Sequence, residues 1–188
     1  MKHEDFDIVS GLKKGENQSF EFFFKKYSKS LLRHIFRVVG NKEIAEDILN
    51  ETSMTIIKKI NFYNDKTDEG PSFKSWIFRI ATNEAIDFIR KEKRRKKKLN
   101  FMSNEVEEVI NHAPEFELQS IQEEVLLYKL MMELPTVQRT ILNLKVKEEM
   151  SYLEISRVCG CSINSVKQAL FKARANLRNK LKLCEVTI

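Results

Sequence analysis

Turn-forming residues are scarce, with 5 Gly and 3 Pro in 188 positions. An all-β sandwich needs a turn every ~8–12 residues, so that class is disfavoured at once. Long apolar runs are missing too. No window approaches the ~18 uncharged apolar residues of a membrane span, and 32% charged residues exclude a membrane bundle. Met1-Lys2-His3-Glu4-Asp5 is followed by no apolar signal-peptide core, and the chain is therefore read as cytoplasmic. Cys159, Cys161 and Cys184 are odd in number, and two are too close for an ordinary disulfide framework. They fit a reducing compartment. His3, His34 and His112 lie far from the thiols, so the spacing favours no metal site.

What is present is apolar content and charge. The 42% hydrophobic fraction excludes global disorder, and the length allows one large domain or two small ones. The net charge of +6 is modest, so its distribution matters more than its size. Residues 1–90 are nearly balanced, with 15 basic and 14 acidic side chains. Arg90 to Lys98 then carries eight positive charges and one negative, residues 99–128 hold seven Glu and no cation, and residues 162–182 hold six cations and no acid. This alternation reads as an all-α fold of two small helical domains joined by a flexible acidic linker. The expected bounds are 1–98, 99–117 and 118–188.

Periodicity supports helices throughout. After a short helix at about 4–14, Ser19 is the expected N-cap of a run in which Phe20, Phe23, Phe24, Tyr27, Leu31, Ile35 and Val39 recur at three- and four-residue spacing. Gly40 closes that helix and Asn41 caps the next, over about 42–60. Residues 61–71 form a polar loop beginning with Phe62 and Tyr63. Ser72 opens a helix to about Arg95 with Phe73, Trp76, Ile77, Ile80 and Ala81 on its apolar side. Beyond the connector, helices are expected at about 118–133 and 136–147. Ser151-Tyr152-Leu153-Glu154 is a capping-box pattern, Gly160 supplies a turn, and Ser162 caps a last helix whose apolar face is Ile163, Val166, Leu170, Ala173 and Leu177. A short helix, a Gly-containing turn and a longer basic helix make a helix-turn-helix pattern in the C-terminal domain.

Two stretches carry recognition chemistry. On the last helix, Ser162, Asn164, Ser165, Gln168, Lys167, Phe171, Lys172 and Arg174 combine short polar groups near the N-terminus with cations beyond, as major-groove entry and phosphate contact require. On the helix from 72, Lys74, Arg79, Asn83 and Arg90 share a polar side next to Phe62 and Tyr63, and rings beside cations suit unpaired bases and their phosphates. No Gly-rich phosphate loop, metal-ligand spacing or nucleophile beside a His is present, so no catalytic residue, metal or cofactor is assigned.

The order of these motifs resembles the extracytoplasmic-function group of bacterial sigma factors over nearly the whole chain. Ser19-Phe20-Glu21-Phe22-Phe23-Phe24-Lys25-Lys26-Tyr27 is similar to the opening helix of that family's first conserved region. Ala45-Glu46-Asp47-Ile48-Leu49-Asn50-Glu51-Thr52 resembles its acidic second helix, and Ser72 through Asn83 with Asp87 and Arg90 resembles its promoter-melting helix. Leu134-Pro135, Gln138-Arg139, Ser151 through Ile155 and Ser165 through Arg174 resemble the domain that reads the −35 element. The resemblance implies a subunit that binds core RNA polymerase and promoter DNA, acts as a monomer in the holoenzyme, is no enzyme and is not inserted in a membrane; an anti-sigma factor is a candidate further partner that the sequence does not require. By motif match, Asp47, Asn50 and Glu51 would dock on the polymerase, with Asn50 in place of the usual Gln. Phe62, Tyr63, Lys74, Arg79, Asn83 and Arg90 would lie at the melted −10 strand. Lys167, Gln168, Phe171 and Lys172 would meet the −35 duplex, where Gln168 and Ala169 replace the Ser and Arg the family often has.

On the residues alone, other readings stay open. A stand-alone helix-turn-helix regulator would bind paired half-sites without polymerase, and a non-DNA interaction protein would show only sequence-blind, salt-sensitive binding. The acidic connector reads equally as a solvated linker or as a mimic of RNA in a basic channel.

Overall fold

The computed structural model describes residues 2–64, 70–100 and 122–185. Among them the regular structure is helical, with no strand. The elements are α1 (Lys2–Lys14), α2 (Asn17–Val39), α3 (Lys42–Lys59), a 3₁₀ turn at Ile60–Phe62, α4 (Phe73–Asn100), α5 (Gln122–Met132), α6 (Thr136–Val146), α7 (Tyr152–Cys159) and α8 (Ile163–Glu185).

Local chemistry sets most boundaries. Gly40 ends α2 at φ 83°, with its N–H donating to the Phe36 carbonyl, and a Cβ there would also strike Met132. The Asn41 side chain accepts from the Ile44 N–H at 2.9 Å and starts α3. Ser151 and Glu154 form a reciprocal capping box on α7, and Gly160 ends it at φ 62°. Glu154 is partly buried, which by itself raises its pKa. Hydrogen bonds from the Ser151 backbone and hydroxyl and from Ser72, with Lys74 nearby, outweigh burial and hold it below the usual carboxylate range.

Two boundaries differ from expectation. Ser19 is not the N-cap of α2: the helix begins at Asn17 after Glu16. Ser19 is buried against Gly11, where an added Cβ would come within 1.8 Å of its hydroxyl, so packing between α1 and α2 holds it inside the first turn. Helix α4 runs to Asn100 rather than stopping near Arg95. The acidic connector expected at 99–117 falls almost wholly outside the described residues.

The apolar stripes meet in one continuous core. Phe23, Leu31, Ile35, Ile56, Ile77 and Phe78 fill the N-terminal helices, while Ile141, Leu144, Met150, Ile155, Val166 and Leu170 fill the C-terminal ones. The two groups are also packed on each other, α6 against α2 and α7 against α4.

Candidate nucleic-acid and polymerase interface

Three exposed faces project from this core. The first is the outer side of α3. Ala45, Ile48, Thr52 and Ile56 face inward, and the Thr52 hydroxyl donates to the Glu84 carboxylate on α4. The helical period therefore turns Glu43, Glu46, Asp47, Asn50 and Glu51 outward, all of them exposed. Asp47, Asn50 and Glu51 lie three and four residues apart and form one acidic surface.

The second face surrounds the start of α4. Phe62 at the end of the 3₁₀ turn is 84% exposed, and Arg79, Asn83 and Arg90 are exposed along the helix. Arg90 pairs with Asp87 at 3.2 Å. Two residues expected here behave otherwise. Tyr63 is only 5% exposed; its ring packs against Phe73 and Trp76, with centroids 5.5 and 5.2 Å away, and its hydroxyl donates to the Pro71 carbonyl at 3.1 Å. It pins the loop onto α4 and offers no stacking platform, which corrects the sequence expectation. Lys74 is committed to the C-terminal helices: its ammonium donates to the Glu148 carbonyl at 2.8 Å and pairs with the Glu148 carboxylate at 3.4 Å.

The third face is α8. Val166, Leu170 and Ala173 seal it against α6 and α7, so Ser162, Asn164, Ser165, Lys167, Gln168, Phe171, Lys172 and Arg174 are all exposed. The Ser162 hydroxyl accepts from the Ser165 N–H at 3.1 Å and fixes the helix start. Phe171 is 76% exposed, beside cations and amides. Lys167 lies 6.0 Å from the Tyr152 ring centroid, which helps hold it at the mouth of the motif.

Sequence reasoning missed a buried polar seam between the two groups of helices. His34 on α2 is completely buried; its Nε2 lies 2.9 Å from the Thr82 hydroxyl and its Nδ1 lies 2.7 Å from the Asn143 amide nitrogen on α6. Arg37 donates to the Asn143 amide oxygen at 3.3 Å, which orients that amide with its NH₂ toward His34. Nδ1 is thereby an acceptor and the imidazole is neutral. Burial first, and the Arg37 charge second, push the His34 pKa down to about 3. Arg139 donates to the Val38 carbonyl at 2.6 Å and the Met132 carbonyl at 2.7 Å, placing one cation at the carboxyl ends of α2 and α5. Arg157 donates to the Gly70 carbonyl at 3.0 Å and Ser72 to Glu154 at 3.0 Å. The legible signal was His34 itself, a polar residue between Leu31 and Ile35 on a buried stripe.

Comparison with known proteins gives the family of the chain. Residues 23–95 match the model of sigma-70 region 2 and residues 124–177 that of sigma-70 region 4. Together they cover more than half of the chain. The chain belongs to the sigma-70 family, in its extracytoplasmic-function group. It is 28% identical to the ECF RNA polymerase sigma factor SigW of Bacillus subtilis over 183 residues, covering 93% of this chain and 95% of that protein. It is 23% identical to the ECF RNA polymerase sigma-E factor of Haemophilus influenzae, covering 94% and 95%. Two solved structures share the fold. RpoE of Bartonella quintana, in complex with the anti-sigma factor NepR, matches with TM-score 0.71 at 21% identity, covering 88% of this chain and 98% of that one. CnrH, in complex with the cytosolic domain of CnrY, matches with TM-score 0.67 at 19% identity, covering 94% and 96%. The region 4 match contains α6, α7 and most of α8, so the helix-turn-helix lies where that family carries region 4.

Proposed function

We infer that the chain is an alternative sigma factor that binds core RNA polymerase, recognises −10 and −35 promoter elements and directs transcription initiation. The observation that carries this is the occurrence of regions 2 and 4, in that order, in one chain. We assign residues 1–98 to core binding, −10 recognition and melting, residues 99–117 to a linker, and residues 118–188 to −35 recognition. Asp47, Asn50 and Glu51 form the polymerase-docking face. Phe62, Arg79, Asn83 and Arg90 form the −10 face, and the exposed residues of α8 form the −35 face. The role is recognition, with no reacting group assigned. Its partners place its work in the cytoplasm, and among the described residues no helix is long and apolar enough to cross a membrane. An anti-sigma protein is the proposed regulator, since the relatives RpoE and CnrH are complexed with NepR and the cytosolic domain of CnrY. The deciding experiment is run-off transcription with purified core polymerase on genomic fragments. Promoter-specific transcripts that need both core and this chain are expected, and their absence would reject the assignment.

The geometry of the −10 face separates its two aromatics. Stacking on an aromatic ring contributes about 1–3 kcal/mol per base, so Phe62→Ala should slow open-complex formation roughly tenfold. A pre-melted template should rescue it, as read by permanganate footprinting. Tyr63→Ala should instead lower thermal stability without such rescue, because its ring is packed and not exposed.

On α8, an amide can both donate to and accept from the major-groove edge of adenine, whereas an ammonium only donates. Gln168→Ala should therefore cost about 1–3 kcal/mol of discrimination at one base pair of the −35 element. Lys172→Ala should weaken all sequences alike. Selection from randomised −35 elements by holoenzyme separates these outcomes, and an unchanged base profile for Gln168→Ala would remove it from the reading set.

A further inference from the structure

Cys159 and Cys161 take no part in the three faces. Cys159 is the last residue of α7, Cys161 follows Gly160, and both are free thiols partly buried against the core. The turn draws them together. Gly160 has φ 62° and ψ 38°, the left-handed helical conformation, so the flanking Cα atoms are spaced like residues two apart in a helix, about 5.4 Å, against about 6.7 Å across an extended residue. Backbone bonds fix that conformation before any ligand arrives: the Gly160 and Cys161 N–H groups both donate to the Ser156 carbonyl, the latter at 3.0 Å. Burial first, and Cys161 second, push the Cys159 pKa up to about 12, and burial raises that of Cys161 too.

A small apolar residue would pack as well at either position; what two thiols add is ligation. Oxidation and disulfide exchange run through the thiolate, which burial suppresses at both positions. A metal ion instead replaces the proton and compensates the charge on sulfur. Structural zinc takes four ligands, and among the described residues no third His, Cys, Asp or Glu joins the pair. Soft thiolates also select monovalent copper, whose filled d shell accepts two sulfurs in a near-linear array. Two metal–sulfur bonds of about 2.3 Å span about 4.6 Å, within reach of thiols on Cα atoms about 5.4 Å apart.

We propose that the Cys159-Gly160-Cys161 turn is a two-thiolate site for monovalent copper, built into the helix-turn-helix, and that its loading weakens −35 recognition. Each thiol gives its proton to solvent as its sulfur–copper bond forms, and neither sulfur nor copper changes oxidation state. The filled site carries a net negative charge next to Ser162, at the entry of the helix whose exposed face would meet the −35 duplex. Phosphate is repelled there. This consequence, though not copper binding itself, rests on the sigma-factor assignment.

The site is read by anaerobic titration of the full chain with Cu(I) against a chelator of known affinity, following sulfur-to-copper absorption in the ultraviolet. One copper per chain is expected, with affinity rising about a hundredfold per pH unit because two protons leave. Cys159→Ser and Cys161→Ser should each lose the copper, and Cys184→Ser should keep it. Circular dichroism checks that helicity survives; where Ser at the more buried Cys159 disturbs α7, Cys161→Ala gives the answer from the less buried thiol. Copper retained by a well-folded Cys161 variant, copper lost from Cys184→Ser, or a one-proton pH dependence overturns the site. So does removal of the metal by an equal concentration of glutathione, or a Cys159–Cys161 disulfide formed with no copper bound. Promoter binding by holoenzyme reads the consequence: copper should weaken wild type and make its plot of log K against log salt shallower by up to about 0.9, while sparing the Cys159→Ser, Cys161→Ser double variant. An equal effect on both would place the copper elsewhere on the polymerase and overturn the link to −35 recognition. Failure of copper-free wild-type holoenzyme to initiate at any promoter would instead reject the sigma-factor assignment and leave the copper titration standing, so the two failures are distinguishable.

Discussion

Between pH 7 and pH 5 the free energy of unfolding is expected to fall by about 2 kcal/mol through His34 alone, the linkage for one proton being about 1.4 kcal/mol per pH unit. The folded-state pKa is pushed from the ordinary 6.5 down to about 3, so between those values the unfolded chain binds a proton that the native chain refuses. The contribution is therefore intact above about pH 6.5 and is lost progressively as the pH falls toward 3. The geometry gives the reason. A proton on Nδ1 would meet the Asn143 NH₂ at 2.7 Å, and that amide is held in place by Arg37, itself a cation. Thr82 and the edge-on Phe78 ring close the remaining sides, leaving the imidazolium no compensating carboxylate among its hydrogen-bonding partners. Denaturant unfolding at pH 7, 6 and 5 reads this slope, and His34→Gln should flatten it by about one proton even if the variant is less stable at pH 7. An identical pH dependence in the two proteins would assign the acid sensitivity to other groups. Because Asn143 belongs to α6 and Thr82 to α4, loss of this seam should also loosen the contact between the N- and C-terminal helices.

Features decided within a few residues are legible in the sequence alone. The Asn41 cap, the Ser151 and Glu154 box, and the turns at Gly40 and Gly160 each depend on local backbone geometry and on side chains within reach of it. The exposed positions of α8 follow from the same period that buries Val166, Leu170 and Ala173. Features decided by distant partners are not legible. Phe62 and Tyr63 are adjacent aromatics in one polar loop, yet one is exposed and the other buried, because Pro71, Phe73 and Trp76 return to cover Tyr63. Nothing in their own neighbourhood distinguishes them. Ser19 has the chemistry of a good cap, and only the approach of Gly11 from α1 shows why it is buried instead. The interhelical seam is least legible of all. His34 and Asn143 are separated by 109 residues, and neither forms a motif with its sequence neighbours.

Two DNA-reading surfaces on one chain act together only if their spacing is fixed, and a large partner that holds both can fix it. The structure adds a second element. The pairing of Lys74 with Glu148, the Arg139 bond to Val38 and the His34 bridge to Asn143 hold α6 and α7 on α2 and α4 without the connector. Lys74, expected at the −10 strand, serves this contact instead.

Reversal of both Asp47 and Glu51 to Lys should abolish co-purification with core polymerase in moderate salt, an effect of about a hundredfold or more. Like-charge juxtaposition in an interface costs several kcal/mol, and each ~1.4 kcal/mol is tenfold in affinity. The fold should survive, since both side chains are exposed on the outer side of α3, away from Ala45, Ile48 and Ile56, and substitutions at such sites usually stay within about 0.5 kcal/mol. Unchanged helicity and thermal stability, measured alongside binding, separate loss of docking from loss of structure. Asn50 lies between the two carboxylates on the same face, and Asn50→Gln lengthens its amide by one methylene without altering charge. That variant should bind core at least as well as wild type, which shows that the face tolerates substitution and that sign, not shape alone, governs the reversal. Wild-type recovery of core by the double reversal would mean that α3 faces solvent in the holoenzyme, and the docking surface would then have to be sought elsewhere on the N-terminal helices.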